Sequence, residues 1–196
     1  MNQTAVAASS LLVEQKVDSN FFQQVKEASG ENIGACMQCG TCSGSCPTSY
    51  QMDYTPRKII SLIRAGYKDK VLKSKTIWMC ASCYACAVRC PRGIKFTDVM
   101  YALKTIAIEE GTYNQKDYSP TFYKEFTNVI KKYGRLSERD LITRYSLKTN
   151  FMNLFKFAPL GLKLLQRGRL TFVNDKIEHQ DELEAMLDKI EEMKGA

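Results

Sequence analysis

The chain has 196 residues, of which 44% are hydrophobic and 10% aromatic, so it can bury a core without the disulfides on which very small folds depend. It has no apolar run of roughly 18 to 20 residues, as a membrane span needs, and its first residues do not resemble an export signal. We therefore expect a cytoplasmic protein, in which clustered cysteines act as metal ligands.

The first half of the chain is predicted to consist of helices that flank two cysteine runs, because no stretch alternates with period two. A polar arm extends to about Asp18, and a helix with Ser19 as N-cap ends at Gly30. The other helices of this half are predicted from Thr55-Pro56 to Gly66, over 68–73, and from Thr97 or Asp98 to Gly111.

The second half is predicted to be helical too, from Ser119-Pro120 to Gly134 and from Ser137 to Lys148. The apolar segment 151–165 is interrupted by Pro159 and Gly161, and core packing is its simplest interpretation. Packing against the rest of the protein is also the simplest interpretation for the apolar side of an acidic C-terminal helix. For the segment and for this helix, docking to partner subunits is the alternative. The apolar residues of that helix are Leu183, Met186, Leu187, Ile190 and Met193.

Charge is unevenly distributed over this second half. Segment 121–170 holds eleven basic residues and three acids, whereas 175–196 holds eight acids and three basic residues. A solvated surface and a pair of docking faces both fit this pattern. The formal charge of +7 would suggest nucleic acid, but thiolate ligation of two [4Fe-4S] clusters would reduce it to about +3.

All eight cysteines lie in two runs of the form C-x2-C-x2-C-x3-C-P: CMQCGTCSGSCP at 36–47 and CASCYACAVRCP at 80–91. Zinc sites usually take two separated C-x2-C pairs, so this spacing is not typical of zinc. It is the spacing of cysteines that bind [4Fe-4S] clusters in bacterial ferredoxins. The two copies predict two [4Fe-4S] clusters.

The spacing also predicts which cysteines share a cluster. Three cysteines at intervals of three can wrap one cluster, while the fourth is carried away by the turn at the proline and binds the other cluster. The predicted ligands of the first cluster are Cys36, Cys39, Cys42 and Cys90. Those of the second cluster are Cys80, Cys83, Cys86 and Cys46.

The residues between the cysteines differ in the two runs. Small residues in the first run, Gly40, Ser43 and Gly44, let the backbone approach a cluster. The corresponding residues of the second run are larger and are expected to be buried, which would lower the local polarity; they are Tyr84, Ala87 and Val88. The two clusters are therefore expected to differ in reduction potential.

Residues outside the runs allow weaker interpretations. Trp78 is interpreted as a core residue rather than a shield for the second cluster, and His179 as a surface residue rather than a ligand. Three interpretations stay open for the basic residues Arg89, Arg92 and Lys95. They could offset the cluster charge, mark a docking face for an electron donor, or be ordinary surface charges.

Several signatures of catalysis are missing from the sequence. It has neither the G-x-G-x-x-G fingerprint of a dinucleotide site nor the G-x-x-x-x-G-K-[ST] phosphate loop. With eight cysteines as ligands, no cysteine is left as a nucleophile. These features predict a chain that carries electrons and has no substrate site of its own.

The runs CMQCGTCSGSCP and IWMCASCYACAVRCPRG resemble those of the C-type iron–sulfur subunits of heterodisulfide reductase, most closely over 32–110. The resemblance implies an α-helical, ferredoxin-like module with two [4Fe-4S] clusters. It implies that the chain relays electrons from a flavin-containing A-type subunit to a B-type subunit. In the family, the B-type subunit reduces the mixed disulfide of coenzymes M and B. This reaction belongs to methane formation and is coupled to flavin-based electron bifurcation. Hydrogenase or formate dehydrogenase would belong to the same assembly.

The elements and the resemblance together predict a mainly α chain with three regions. These are an N-terminal arm and short helix at 1–30, a two-cluster helical ferredoxin domain at 31–110, and a helical C-terminal region for subunit docking at 111–196. The chain is expected to be a non-catalytic electron-transfer subunit of an oxidoreductase complex, with no nucleic-acid partner and no membrane span.

Three alternatives compete with this prediction. Iron–sulfur subunits of succinate dehydrogenase or fumarate reductase also carry an N-terminal C-x4-C-x2-C domain. The 35 residues before Cys36 contain no cysteine, which disfavours this alternative. Heterodisulfide-reductase-like complexes of sulfur or sulfate metabolism use the same kind of subunit with another final acceptor. A structural iron–sulfur protein that binds nucleic acid through 121–170 is the minor alternative, and salt-dependent binding by a redox-silent protein would distinguish it.

Overall fold

The computed structural model describes residues 17–114, 117–168 and 176–195, and most of the predicted N-terminal arm lies outside them. These residues form helices and no strand, which confirms the mainly α fold. The chain divides into two compact units, Met1–Asp117 and Tyr118–Ala196. The functional regions 1–30, 31–110 and 111–196 stay predictions.

The described part of the first unit contains seven helices and two 3₁₀ turns. The turns are Ile33–Ala35 and Ser49–Gln51. The helices are α1 (Phe21–Ser29), α2 (Thr41–Ser45), α3 (Pro56–Arg64), α4 (Lys68–Leu72), α5 (Thr76–Met79), α6 (Ala85–Val88) and α7 (Phe96–Glu109).

Helix α7 is the central packing element of this unit, since α1, α4, α5 and α6 all contact it. Its apolar residues recur at intervals of three and four, so they share one face, and Val99, Leu103 and Ala107 on that face are fully buried. Helix α3 buries Ile59 and Ile63 in the same way. Each such aliphatic side chain stabilises the fold by about 1.5–3 kcal/mol relative to exposure.

The predicted helices of the first unit are confirmed, and Thr55 lies at the N-cap position of α3 as predicted, but the predicted N-cap of α1 is wrong. Helix α1 begins at Phe21, after Asn20 rather than Ser19, and the Asn20 backbone N–H donates to Asp18 Oδ1 at 2.9 Å. Helix α3 has its proline at the first position as predicted, yet the Thr55 side chain makes no capping hydrogen bond. A cap depends on local backbone angles, which residue type alone does not set.

The predicted cap of α7 is also wrong, because this helix begins at Phe96 and Thr97 lies inside it. The buried side chains of Ile94 and Phe96 anchor the first turn two residues earlier than a Thr97 cap would. Thr97 is itself buried, with its hydroxyl 3.5 Å from Cys86 Sγ. The Thr97 hydroxyl therefore contacts a cysteine sulfur instead of capping the N-terminus of α7.

The second unit contains α8 (Ser119–Tyr133), α9 (Glu138–Thr149), α10 (Met152–Gln166) and α11 (Gln180–Gly195). Both helices predicted in this region up to residue 148 are confirmed, and α8 ends at Gly134, whose φ is +70°. Helices α8 and α9 pack together. The small core of the unit holds Val129, Tyr133 and Leu141, with Phe126 and Leu136 packed against it.

The core-packing interpretation of segment 151–165 is wrong for the side chains that the structure describes. Helix α10 continues through Pro159 and Gly161, although an internal proline removes one backbone hydrogen bond. Its side chains at Phe155, Leu160 and Leu162 are all more than half exposed. The core described above draws on α8 and α9, so α10 leaves this apolar surface uncovered.

The apolar side of the C-terminal helix was interpreted as packing against the rest of the protein. This interpretation is also wrong for most of that side. Met186, Ile190 and Met193 on α11 are exposed, and Leu183 and Leu187 are half-buried. None of the described helices is both long enough and apolar enough to cross a membrane.

Candidate metal centre

The first of two cysteine-lined cavities encloses about 410 Å³, a volume that includes space open to solvent. Its cysteines come from both runs. They are Cys36, Cys39, Cys42, Cys86 and Cys90. Helix α2 supplies Cys42, and the segment after α6 brings Cys90, which is 48 residues later than Cys42 in the sequence, to the same wall.

The second cavity encloses about 350 Å³, again including space open to solvent, and is also lined by residues of both runs. Its cysteines are Cys46, Cys80, Cys83 and Cys86. Cys86 therefore lies on the wall of both cavities, which makes them neighbours. Each of the eight predicted ligands lines at least one cavity, and the last cysteine of each run lies with the other run.

The two runs adopt the same unusual backbone at corresponding positions. Two residues after the first cysteine of each run, Gln38 and Ser82 have φ of +59° and +54°. Two residues later, Gly40 and Tyr84 have φ of +83° and +58°. A left-handed conformation costs a non-glycine residue about 1–2 kcal/mol, so its repetition by different sequences marks a functional constraint. Each left-handed pair leads into a one-turn helix, α2 or α6.

Hydrogen-bond donors surround several of the sulfurs. The backbone N–H and the side-chain amide of Gln38 donate to Cys36 Sγ at 3.4 and 3.5 Å. Threonine hydroxyls lie 3.4 Å from Cys39 Sγ and Cys46 Sγ, at Thr41 and Thr48. Such donors stabilise thiolates, which are the form of cysteine that binds metal.

The thiols differ in how easily they lose a proton. The hydrogen bond from the Thr41 hydroxyl holds the pKa of Cys39 below its usual value. Burial raises the pKa of Cys42 and of Cys80, because the charged thiolate is poorly solvated there. Cysteines of this second kind need a bound cation to stay ionised at neutral pH.

Positive charge is concentrated at the first cavity. Arg57 and Arg92 are among its lining residues, whereas the second cavity has no charged lining residue among those described. Arg64 Nη1 donates to the Cys36 carbonyl at 3.0 Å, and Arg92 Nε donates to the Ala35 carbonyl at 3.2 Å. Arg57 and Arg64 were not predicted from the sequence, although both follow the predicted helix start at Thr55-Pro56.

The structure corrects the expected burial of the second run. Val88 is 85% exposed and Tyr84 is also exposed, because α6 is a single surface turn; Ala87 is only half-buried. The Tyr84 hydroxyl donates to Asp98 Oδ1 at 3.1 Å. The polarity around the second cavity is therefore not lowered by these side chains.

The remaining residues singled out in the sequence lie in varied positions. Trp78 is buried and lines neither cavity, in agreement with its interpretation as a core residue. Arg89 donates to Ser45 Oγ at 3.4 Å, and the Lys95 backbone N–H donates to Glu31. His179 is exposed beside Glu182, as expected of a surface residue.

Two of the three small residues of the first run lie close to Arg57 of α3. Gly40 lines the first cavity, and a Cβ there would lie 3.6 Å from Arg57 Cδ. The hydroxyl of Ser43 accepts from the Arg57 backbone N–H at 2.9 Å, which ties the run to α3. Gly44 faces open space.

The donor set fits two [4Fe-4S] clusters. Among the described residues no group of three or more histidine, cysteine or carboxylate side chains is arranged to hold a single metal ion. A cubane does not require that arrangement, because each of its four irons takes a sulfur of its own. Two neighbouring cavities, each with four cysteines from the predicted set, provide the required number of sulfurs.

Comparison with known proteins agrees with this chemistry. Residues 32–94 match the family described as a 4Fe-4S dicluster domain. These residues span both cysteine runs. The protein accordingly holds two [4Fe-4S] clusters in a helical dicluster domain.

Curated relatives from methanogens extend the likeness. The C-type chain of the H2:CoB-CoM heterodisulfide,ferredoxin reductase of Methanothermobacter marburgensis is 40% identical over 95 residues, which cover 48% of this chain and 51% of the relative. The C-type iron-sulfur chain of the CoB–CoM heterodisulfide reductase of Methanopyrus kandleri is 44% identical over 80 residues, 41% of this chain and 42% of the relative. The chain thus spans about half the length of these relatives, or less.

A third relative is matched over its whole length. The C2-type chain of the H2/formate:CoB-CoM heterodisulfide,ferredoxin reductase of Methanococcus maripaludis is 35% identical over 184 residues, which cover 78% of this chain and 100% of the relative. With two cysteine runs, a dicluster domain and this full-length match, the chain belongs to the family of C-type iron–sulfur subunits of heterodisulfide reductase.

Proposed function

We propose that this chain relays electrons inside a heterodisulfide reductase complex, from a flavin-containing A-type subunit to a B-type subunit that reduces the CoM-S-S-CoB disulfide. The observation that carries the proposal is the pair of neighbouring cavities that share Cys86 and draw cysteines from both runs. A [4Fe-4S] cluster accepts and donates single electrons. Two neighbouring clusters of this kind form a path for electrons through the chain.

The proposed ligands follow the crossed spacing rule, and the cavity linings support it. Cys90 lines only the first cavity, with three cysteines of the first run, and Cys46 lines only the second cavity, with three cysteines of the second run. Cys86 lines both cavities, so its position alone does not decide which cluster it binds. The spacing rule assigns it to the second cluster. The first cluster would be held by Cys36, Cys39, Cys42 and Cys90. The second would be held by Cys80, Cys83, Cys86 and Cys46.

The chain's own residues prepare these sites for electron transfer. Gln38, Thr41 and Thr48 supply hydrogen bonds that favour the anionic sulfur. Cys39 and Cys83 are exposed, which brings each cavity close to the molecular surface. A donor and an acceptor can therefore approach different cavities.

The names of the relatives support the partners in this proposal. They describe subunits of reductases that act on the CoB-CoM heterodisulfide, and they mention H2, formate or ferredoxin. We propose the corresponding A-type and B-type subunits as partners here, with a hydrogenase or formate dehydrogenase upstream. A related complex of sulfur metabolism, with another disulfide acceptor, is the second candidate.

Anaerobic purification of the native complex, followed by identification of its subunits and iron analysis, tests the proposal. We expect about eight irons in this chain, as two [4Fe-4S] clusters require, reversible EPR signals on reduction, and copurification with a flavoprotein. A zinc protein, or a chain recovered without any redox partner, would contradict it.

The ligand assignment has its own test in Cys90→Ser. This variant should perturb the cluster that also depends on Cys39, because both cysteines line the first cavity. Cys39→Ser should therefore alter the same EPR signal, and Cys83→Ser the other one. Loss of only the signal that depends on Cys83 in the Cys90 variant would refute the crossed assignment.

A further inference from the structure

Three exposed arginines lie against the first cysteine run. Arg57 and Arg92 line the first cavity. Arg64 Nη1 donates to the Cys36 carbonyl at 3.0 Å, and Arg92 Nε donates to the Ala35 carbonyl at 3.2 Å. The backbone of the run therefore holds two guanidinium groups in defined positions, next to the third.

These arginines have no acidic partner among the residues that the structure describes. None of the ion pairs recorded there includes Arg57, Arg64 or Arg92, and no described residue that lines the first cavity is acidic. A guanidinium has five N–H donors, and Arg64 and Arg92 each use one of them in these contacts. Most of their donors are left for carboxylates from outside the chain, which they can bind in pairs.

The same surface exposes a proposed cluster ligand. Cys39 and Met37 both line the first cavity and are both exposed, Met37 by 63%. Methionine and arginine are enriched where proteins contact each other. The second cavity also has an exposed cysteine, Cys83, but no charged residue among those described in its lining. Charge therefore distinguishes the surface at the first cavity from the surface at the second.

We propose that this arginine face, formed by Arg57, Arg64 and Arg92 around Met37 and Cys39, docks a redox protein through a carboxylate-rich patch next to that protein's own redox centre. The inference rests on the proposed electron relay and adds the chemistry of the partner at the first cluster. One electron passes between the two centres, so one is oxidised and the other reduced, and no atoms are exchanged. Opposite charges speed such an encounter and weaken it as salt is added.

Two other roles of the arginines lead to different expectations. Positive charge beside an anionic cluster raises its reduction potential, but that role needs no carboxylate from another chain. Arginines also bind the phosphates of nucleic acids, which is a salt-dependent interaction as well. The exposed Met37 beside the proposed ligand Cys39 favours a protein, since an electron partner needs contact next to the cluster.

The test uses the native complex, purified anaerobically, with an Arg57→Lys, Arg92→Lys variant of this chain. A water-soluble carbodiimide joins a lysine amine to a carboxylate in contact with it; an amide forms, and the carbodiimide takes up the water as a urea. Arginine does not react in this way, so the wild type is the control. We expect mass spectrometry to find a new amide between position 57 or 92 and an acidic residue of a flavin- or iron–sulfur-containing subunit.

A second measurement removes the charges. For the Arg57→Gln, Arg92→Gln variant we expect the Kd for that redox subunit to rise about tenfold at low salt. The difference should shrink in 1 M salt, where charges are screened within about 3 Å. Lys58→Gln removes an exposed charge that lines neither cavity from the same helix, and should change the Kd by less than about twofold. Iron content and EPR signals show whether each variant keeps both clusters.

Three results would overturn the proposal while the redox subunit stays bound. The first is a lysine variant that forms no amide with a redox subunit, or forms one only within this chain or with a second copy of it. The second is an unchanged Kd in the glutamine variant with a shifted midpoint of the first cluster, as a role in the potential alone requires. The third is loss of duplex DNA binding in the glutamine variant with an unchanged Kd for the redox subunit. A wild-type chain that purifies without any redox subunit would instead contradict the electron relay itself.

Discussion

At the scale of single residues, Lys68 connects three helices of the first unit. Its ammonium donates to Glu110 Oε1 at 2.7 Å and to Gln24 Oε1 at 3.0 Å, and lies 3.7 Å from Asp18 Oδ2. Burial alone would raise the pKa of Glu110, but hydrogen bonds from Lys68 and Gln24 and the lysine charge together lower it. The ionised carboxylate therefore stabilises the contact between α4 and the C-terminal end of α7.

Glu110→Gln should lower the free energy of unfolding at neutral pH by about 0.5–1 kcal/mol, since the pair is partly exposed. The folded pKa lies below the usual 4.5, so this contribution is complete above the unfolded pKa and is lost as pH falls through the folded pKa. Urea unfolding at pH 6, 7 and 8 should give a constant difference. Asp69→Asn breaks the more exposed pair with Lys73 and is the matched control, with almost no effect. A difference that changes between pH 6 and 8 would contradict this account.

A second residue-scale prediction concerns a buried carboxylate in the second unit. Glu125 is 2% exposed, and its Oε1 accepts from Lys148 Nζ at 2.5 Å. Its other oxygen, Oε2, is buried without a hydrogen-bond partner among the described residues. Lys148→Met should destabilise the unit by about 1–3 kcal/mol, because it leaves a buried acceptor poorly compensated.

The matched background for this change is Glu125→Gln, in which no buried charge remains. Chemical denaturation of the two single variants and the double variant forms a cycle that isolates the pair. We expect Lys148→Met to cost clearly less in the Glu125→Gln background. Equal costs in both backgrounds would show that Lys148 acts through packing alone.

At the scale of elements, the turn between α3 and α4 depends on one glycine. Gly66 has φ of +74°, and a Cβ there would lie 2.6 Å from the backbone oxygen of Asp18 and 2.8 Å from Val17 Cγ1. The Gly66 carbonyl also accepts from the Asp18 backbone N–H at 2.9 Å. Only glycine allows both the left-handed backbone and this close approach.

Gly66→Ala should therefore lower the free energy of unfolding by about 2–4 kcal/mol, the sum of backbone strain and a clash with backbone atoms. Gly111→Ala is the control, because Gly111 has a similar φ of +66° but open space around its Cα. It should cost only the strain, about 1–2 kcal/mol. Thermal unfolding followed by circular dichroism measures both, and equal costs would mean that the clash at Gly66 is relieved by local movement.

Helix positions could be predicted from the sequence because their signals are local. Pro56, Gly134 and the spacing of Val99, Leu103 and Ala107 each mark a boundary or a buried face within a few residues. Whether a face is covered is not a local property. Val88 and Phe155 are apolar, as core residues usually are, yet both side chains are exposed because no described element packs over them.

The cysteine spacing was informative for the site because one chemistry explains both runs. The surrounding charges were not predictable in the same way. Arg57 reaches the first cavity through the orientation of α3, which depends on tertiary packing.

At the scale of the whole molecule, the two units differ in what holds them together. The first has a core around α7 and the cysteine-lined cavities, whereas the second has a small core of its own and no cysteine. Crossed ligation would close a loop of some forty residues between the runs. By analogy with a disulfide, closing a loop of that length stabilises the folded state by about 4 kcal/mol.

Removal of iron with a chelator under anaerobic conditions should therefore destabilise the first unit selectively. Hydrogen exchange followed by mass spectrometry should show faster exchange over 56–64 and 96–109, while exchange over 119–149 stays the same. The double variant Cys46→Ser, Cys90→Ser removes the crossing ligands but leaves three cysteines in each run, and should show most of this loss even when loaded with iron. If the double variant exchanges as slowly as the loaded wild type, each cluster is held within its own run, because only ligation between the runs closes the long loop.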